Sequence, residues 1–272
     1  MRNQWTRLLL LAVVALPLPA QQPFLTDDTG VTDRGAWHFE FFNEHDLLQR
    51  LQFPNLRQNT ANFKVNYGLP LNLELDFDAP YLGIFRTAGS LLGTSAGIGD
   101  TNMGIKWNFH KETPGSRAPA LSATFYVEFP TGNIKKELGS GLSDYALNLI
   151  AQKHVSKTTR LTVNAGLIFS GNTSTGVIGI QGTRGRVYTG GASLLREFNP
   201  KWTVGGEIYG GYTNNDGLSK SQLQVMLGGK YTIRDGMTFD FGVAGGRYVA
   251  SPRVGVLIGV SVDLPSTVKP GK

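Results

Sequence analysis

Apolar and polar residues alternate one by one along many stretches of this chain, and this pattern restricts its fold more than any other feature. The cleanest case is Leu71–Asp78 (LNLELDFD), where one face of a strand is apolar and the other is acidic or amide. Near the other end of the chain, Ser251–Leu264 repeats the pattern, with Val254, Val256 and Ile258 on one face. A period of two residues predicts β-strands.

Twelve segments carry this alternation, and most have the length of about 9–13 residues that a tilted strand needs to cross a bilayer. They span residues 35–43, 60–68, 71–79, 100–111, 120–130, 144–154, 160–170, 186–198, 201–213, 221–232, 237–248 and 252–264. Their connections alternate between long and short, which is typical of bacterial outer-membrane barrels with short periplasmic turns. We therefore predict an all-β fold over 35–264: an antiparallel transmembrane β-barrel of about 12 strands, arranged as an up-and-down meander.

The two ends of the chain predict where it resides. Residues 1–20 combine a basic start at Arg2 and Arg7 with an apolar run, which indicates a secretory signal peptide cleaved near Ala20. We assign 21–34 to a periplasmic N-terminal segment and 265–272 to a polar C-terminal tail. No later stretch is apolar enough for a transmembrane helix, so the predicted location is the outer membrane of a Gram-negative-type bacterium.

A secreted β-sandwich or a lipocalin-like barrel is the alternative fold, because soluble β-proteins also alternate. Alternation alone does not tell which face points outward. Strand length, aromatic residues near the predicted strand ends and the asymmetry of the loops favour the membrane barrel.

Several short motifs resemble those of a known family. They are Gly97–Trp107 (GIGDTNMGIKW), Val127–Gly132 (VEFPTG) and Tyr145–Lys153 with the following Val163–Gly166. In this order and spacing they resemble the outer-membrane barrel family named for the meta-pathway of phenol degradation, over roughly residues 60–264. The resemblance implies about twelve strands and passage of aromatic or other apolar compounds across the outer membrane. The alternative is a structural or ligand-displaying barrel without transport.

If the apolar faces meet lipid, the charged residues of the strands face the lumen. These candidates are Lys64, Glu74, Asp76, Asp78, Lys106, Glu128, Glu207, Lys230, Asp240, Arg253 and Asp263. They can form a charged constriction that selects permeants, or simply pair across neighbouring strands because an unpaired buried charge is costly. The second interpretation is favoured.

The longest predicted loop, 80–99, is rich in apolar residues that can line or close the barrel mouth. These gate candidates are Tyr81, Leu82, Ile84, Phe85, Leu91 and Leu92. They can equally cap the mouth with no cargo at all. Loop 171–185 is rich in Gly, Ser and Thr and is interpreted as a mobile surface loop. It can lie near lipopolysaccharide phosphates or be simply solvated, and the second interpretation is favoured.

A lipid-modifying enzyme of the outer membrane is the remaining, less favoured class. The chain has four histidines, no cysteine and no G-x-S-x-G motif. The sequence therefore predicts no catalytic residues, no metal site and no cofactor. The expected partners are outer-membrane lipid and lipopolysaccharide, the barrel assembly machinery and a small apolar solute, whereas nucleic acid is not expected.

Overall fold

The computed structural model describes residues 23–52, 54–170, 185–213 and 221–266. The predicted signal peptide and its cleavage site, most of loop 171–185 and most of the C-terminal tail lie outside the described residues. Strands make up most of the described part. The strands are β1 (Trp37–Leu47), β2 (Asn55–Leu69), β3 (Leu73–Arg86), β4 (Ser95–Ile98), β5 (Thr101–His110), β6 (Ala120–Phe129), β7 (Asp144–His154), β8 (Thr159–Ser170), β9 (Gly185–Asn199), β10 (Trp202–Tyr212), β11 (Ser221–Arg234), β12 (Met237–Arg247) and β13 (Val254–Leu264).

Apart from β4 and β5, which both pair with β3, strands that are neighbours in the chain pair antiparallel. The first and last strands also pair, from Trp37 opposite Leu264 to Leu47 opposite Val254. The sheet therefore closes on itself. The short β4 and the longer β5 pair in turn with the upper and lower parts of β3, so together they fill one strand position. The predicted all-β, twelve-stranded, up-and-down barrel is confirmed.

The two faces of the wall differ sharply, and β5 shows how. Its outward side chains Ile105 and Trp107 are 39% and 50% exposed, whereas the inward Lys106 and Asn108 are 2% and 5% exposed. An apolar outside and a polar inside are the reverse of a soluble barrel and match a wall that faces lipid. The observed orientation thus decides between the two folds that the alternation had left open.

Three 3-10 turns, Arg50–Gln52, Pro70–Asn72 and Ile134–Lys136, lie between strands. Within the part of the chain that the structure describes, no helix has the length and apolar character needed to cross a membrane. The connections alternate in length around the barrel, which gives it a long-loop end and a short-turn end.

Candidate functional site

The bore of the barrel is occupied by the chain's own N-terminal segment, residues 23–36. The segment meets the wall at the short-turn end, where Gly35 donates its N–H to the carbonyl of Gly68 at 2.8 Å. A side chain on Gly68 would overlap the backbone of Asp33, so only glycine accommodates this crossing. Sequence analysis had assigned 21–34 to the periplasm, but the structure lays residues 24–32 against inward-facing side chains of the wall.

Glu207 on β10 holds the deepest part of the segment. Its carboxylate accepts the backbone N–H of Leu25 at 3.1 Å and the hydroxyl of Thr26 at 2.7 Å. Thr26 also donates its backbone N–H to the same carboxylate. Both Glu207 and Thr26 are 3% exposed. Hydrogen bonds to a charged acceptor in so enclosed a place fix the position of the backbone strongly.

The next residue, Asp27, is held by an ion pair and by the side-chain amide of Asn164. The Lys106 ammonium donates to the Asp27 carboxylate at 2.6 Å and lies 3.5 Å from that of Asp28. Asn164 on β8 accepts the backbone N–H of Asp27 at 2.7 Å and donates to its carbonyl at 2.9 Å. The segment therefore supplies the counter-charges for a lysine of the wall.

Further along, the segment binds side chains of β5, β6 and β3. The carbonyl of Thr29 accepts bonds from Asn108 at 2.7 Å and from Ser122 at 2.9 Å. Thr32 donates both its backbone N–H and its hydroxyl to Glu74, at 2.5 Å each. Side chains from β3, β5, β6, β8 and β10 thus converge on residues 25–32.

Phe24 is the apolar anchor of the segment. Its ring is 6% exposed and packs with Leu195, Met226 and Ala244, which come from β9, β11 and β12. Glycines make room beside it, since a Cβ on Gly242 would lie 3.1 Å from the Cβ of Pro23. The recess is apolar, whereas most of the bore around it is polar.

Most of the charged lumen candidates lie on the faces that the structure buries. Glu74, Asp76, Lys106, Glu207 and Asp240 are 4%, 2%, 2%, 3% and 0% exposed. Lys64, Asp78, Glu128, Lys230 and Asp263 are partly buried. Arg253 precedes β13 and is exposed at the long-loop end, where its backbone N–H binds the carbonyl of Leu47.

Several of these charges have partners other than an opposite charge on a neighbouring strand, whereas Asp263 on β13 pairs with His38 on the adjacent β1. Lys106 binds the acids of the N-terminal segment. The carboxylates of Asp76 and Asp240 accept hydroxyl groups from Tyr126 and Ser261, at 2.8 and 2.7 Å. Four residues of the segment belong to no site predicted from the sequence: Phe24, Thr26, Asp27 and Asp28. The feature of the sequence that could have indicated them is the acidic pair Asp27 and Asp28, because the predicted lumen contains several lysines.

The gate candidates do not share one loop. Tyr81, Leu82, Ile84 and Phe85 belong to β3, whereas Leu91 and Leu92 lie in the exposed connection that follows it. Tyr81 is 49% exposed on the outer face. Leu82 and Ile84 are buried on the inner face and pack with Leu138. Only these two of the six therefore line the bore.

Leu138 comes from the connection 130–143, which folds over the long-loop end. Asp100 anchors it by accepting the backbone N–H groups of Gly132 and Ser140, both at 2.9 Å. Arg86 donates to Glu137 at 2.6 Å. That hydrogen bond holds the pKa of the Glu137 carboxyl below its ordinary value. The apolar cluster and the two polar anchors narrow the mouth on the side of β3.

The four histidines differ in their surroundings. His38 lies between two carboxylates, 2.6 Å from Asp263 and 2.9 Å from Glu40, so both ring nitrogens are engaged. The other three histidines, His45, His110 and His154, are exposed. Across the described ranges, no group of three or more His, Cys, Asp or Glu residues is placed to hold a metal ion.

Residues 27–264 match the model of the family described as "Putative MetA-pathway of phenol degradation". The chain belongs to this family. The match covers the whole barrel and most of the segment inside it, so the resemblance of the short motifs is confirmed. No curated protein sequence matches the chain.

Solved structures show the same fold at low sequence identity. The COG4313 outer membrane channel from Pseudomonas putida F1 is similar with a TM-score of 0.70 and 14% identity, over 87% of this chain and 98% of that one. The NanC porin has a TM-score of 0.57 and 10% identity, over 83% and 100% of the two chains. The KdgM porin, solved with a disordered oligogalacturonate, has a TM-score of 0.54 and 10% identity, over 83% and 98%. This family member therefore has the fold of outer-membrane barrels.

Proposed function

We propose that this barrel is a passive, non-enzymatic channel for small apolar or aromatic molecules, and that the N-terminal segment closes its bore at rest. The observation that carries the proposal is the occupied bore. Residues 24–32 lie inside it and are held by side chains from five strands, and none of these bonds is covalent. A closed barrel wall with a non-covalently held segment inside it has the architecture of a plugged channel.

The apolar part of the proposal rests on three clusters of buried apolar residues. Leu82, Ile84 and Leu138 form one at the long-loop end. Ile168 and Val187 form another on β8 and β9. Phe24 and its neighbours form the third. Apolar surfaces do not favour the binding of ions or sugars, whereas an apolar solute gains contacts at each cluster.

The rival function is a structural barrel without transport. The same filled bore favours it, because Lys106 and Glu207 lose their partners if the segment leaves. Unpaired buried charge is costly, so a segment that never moves is physically reasonable. The two functions differ in whether the segment can leave.

A reversible covalent lock tests this difference. The native chain has no cysteine, and a Cβ on Gly242 would lie 3.1 Å from the Cβ of Pro23, only slightly closer than a disulfide requires. The variant Pro23→Cys with Gly242→Cys is therefore expected to hold the segment in place when oxidised. Each single variant serves as a control that cannot form the bond.

Uptake of a radiolabelled aromatic solute such as toluene is measured in cells, whose lipopolysaccharide leaflet slows passive entry. Reduced cells should take up the solute faster than cells without the protein, and oxidation should abolish the difference in the double variant alone. Equal uptake with and without the barrel would reject transport of this class. Uptake that persists in the oxidised double variant would reject closure by the segment.

A further inference from the structure

Side chains of the barrel wall enclose the ring of Phe24 in the way that a binding site encloses a ligand. It lies on a segment that is not part of the wall, and three strands supply the side chains around it: Leu195 from β9, Met226 from β11 and Ala244 from β12. The flexible thioether of Met226 is 2% exposed, and such a side chain adapts well to an aromatic ring.

The wall also lacks side chains beside Pro23, the residue that precedes Phe24. Gly228 and Gly242 lie beside Pro23, at 2.8 and 3.1 Å from its ring for a Cβ built on each. Buried polar residues follow on the inward faces of the same strands, with Gln224 two positions from Met226 and 3% exposed, and Asp240 four positions from Ala244 and 0% exposed. An apolar recess of about one ring therefore interrupts a polar surface.

The rest of the segment does not need the recess. Thr26 and Asp27 are placed by Glu207, Lys106 and Asn164 through polar bonds. Leu25, the other large apolar side chain beside Phe24, is 41% exposed and lies outside the cluster. Phe24 is the aromatic side chain of the segment that packs in this apolar cluster, and its ring indicates the chemistry that the recess accepts.

We propose that the recess formed by Leu195, Met226, Ala244 and Gly242 is a binding site for a single aromatic ring, and that Phe24 occupies it as a built-in competitor. The site deepens the proposed function, because it rests on the permeant being aromatic and names the place in the bore where its ring binds. The ligand and Phe24 then exclude each other. The apparent affinity of the native chain for an aromatic ring is therefore its intrinsic affinity multiplied by the fraction of molecules in which Phe24 has left the recess.

The test uses the full chain in detergent with Phe24→Ala, and fluorobenzene as the probe. Truncating a buried ring leaves an apolar cavity, and such cavities bind benzene-sized molecules. Labelling the methionine methyl groups with ¹³C gives few signals, because the chain has four methionines. Met226 lines the recess, whereas Met103 is 47% exposed on the outer face and reports partition of the probe into the micelle.

Fluorobenzene should shift the Met226 signal of Phe24→Ala at a concentration at least tenfold below that needed in the native chain. The matched control Leu25→Ala should behave as the native chain does, and the Met103 signal should respond alike in all three proteins. Phe24→Leu, which keeps the recess partly filled, should fall between the native chain and Phe24→Ala. Retained gel mobility of the unboiled protein shows that each variant is folded.

A Met226 signal that responds no better in Phe24→Ala than in Leu25→Ala would overturn the site. If uptake still depends on the protein and on the Pro23–Gly242 lock, the channel stands and only the ring site fails. If Met226 responds but no uptake is measured, the ring site stands and the channel fails. The two proposals are therefore tested separately.

Discussion

The ammonium group of Lys106 on β5 lies 2.6 Å from the carboxylate of Asp27, which stands 79 positions earlier in the chain. The lysine side chain is 2% exposed and the aspartate side chain 13%. This pair joins the wall of the barrel to the segment inside it. Because a second carboxylate, that of Asp28, lies 3.5 Å from the same nitrogen, the lysine is the common partner of two acids.

Lys106→Met should release the segment from the wall. Removing one member of a buried ion pair costs about 3–5 kcal/mol, because the other charge stays buried and unpaired. We expect a higher and noisier single-channel conductance in planar bilayers than in the native protein. Lys153→Met, which removes a pair with Glu112 at the short-turn end, is the control and should not change conductance. Identical conductance in Lys106→Met and the native protein would show that this pair does not hold the segment.

Gly68→Ala should also displace the segment, but for a steric reason. The new methyl group would overlap the carbonyl oxygens of Thr32 and Asp33, which are backbone atoms and cannot rotate away. Thr26, 3% exposed in the native protein, becomes accessible once the segment shifts. With Thr26→Cys in both backgrounds, we expect thiol labelling to be at least about tenfold faster with Gly68→Ala, which corresponds to about 1.4 kcal/mol.

Gly83→Ala is the matched control for that experiment. A Cβ at Gly83 finds its nearest neighbour at 3.7 Å, an ordinary contact, so the labelling rate of Thr26→Cys should not change. Equal labelling rates of Thr26→Cys with Gly68→Ala and with Gly83→Ala would mean that the position of the segment does not depend on the close approach at Gly68.

The strands could be predicted from the sequence because alternation is a local signal, and β3 shows its limit. The sequence predicts a loop over 80–99, and its first part, 80–86, contains Pro80 and Gly83. In the structure β3 continues to Arg86, and Pro80 lies where the partner of β3 changes from β5 to β4. At such a switch point the missing N–H of proline breaks little of the hydrogen-bond ladder, so the strand can run through it.

The segment in the bore could not be predicted in the same way. Its bonds join residues far apart in the chain, with 137 positions between Asp27 and Asn164 and 181 between Thr26 and Glu207. No periodicity marks it, because its backbone follows the partners it finds and forms no regular strand. The charges of Asp27 and Asp28 were visible, but only the closed barrel brings Lys106 to them.

Asp100→Ala should loosen the connection 130–143 at the long-loop end. It leaves the N–H groups of Gly132 and Ser140 without their acceptor, at about 1–3 kcal/mol for each group that stays buried. Trypsin should then cut after Lys135 and Lys136, which the native fold holds in a 3-10 turn. Mass spectrometry of the fragments measures this. Asp235→Ala, in an exposed turn, should leave the native cleavage pattern unchanged, and resistance of Asp100→Ala would contradict the anchor.

Glu112 predicts a dependence of stability on pH at the short-turn end. Partial desolvation acts to raise its pKa, but hydrogen bonds from Lys153 and His154 outweigh it and lower the pKa from 4.5 to about 2. A carboxyl with a lowered folded pKa stabilises the fold above its unfolded pKa, and this contribution is lost as the pH falls through the folded value.

The thermal midpoint of the native barrel should therefore exceed that of Glu112→Gln at pH 7, and the difference should shrink between about pH 4.5 and 2. Heat-dependent gel mobility after incubation at each pH measures the midpoint. Glu197→Gln, at an exposed strand end, serves as the control. A difference between native and Glu112→Gln that stays constant down to pH 2 would contradict the lowered pKa.

The orientation of the barrel in the membrane is open to a direct test. Ser90 lies in the long connection between β3 and β4, and Lys157 lies in the short turn between β7 and β8. Because long loops of bacterial barrels face outward and short turns face the periplasm, an impermeant thiol reagent should label Ser90→Cys on intact cells. Lys157→Cys should react only after the outer membrane is permeabilised. The native chain has no cysteine, so every label reports the introduced residue.

Labelling of Lys157→Cys but not Ser90→Cys on intact cells would show that the barrel has the opposite orientation. The N-terminal segment would then enter the bore from the outside.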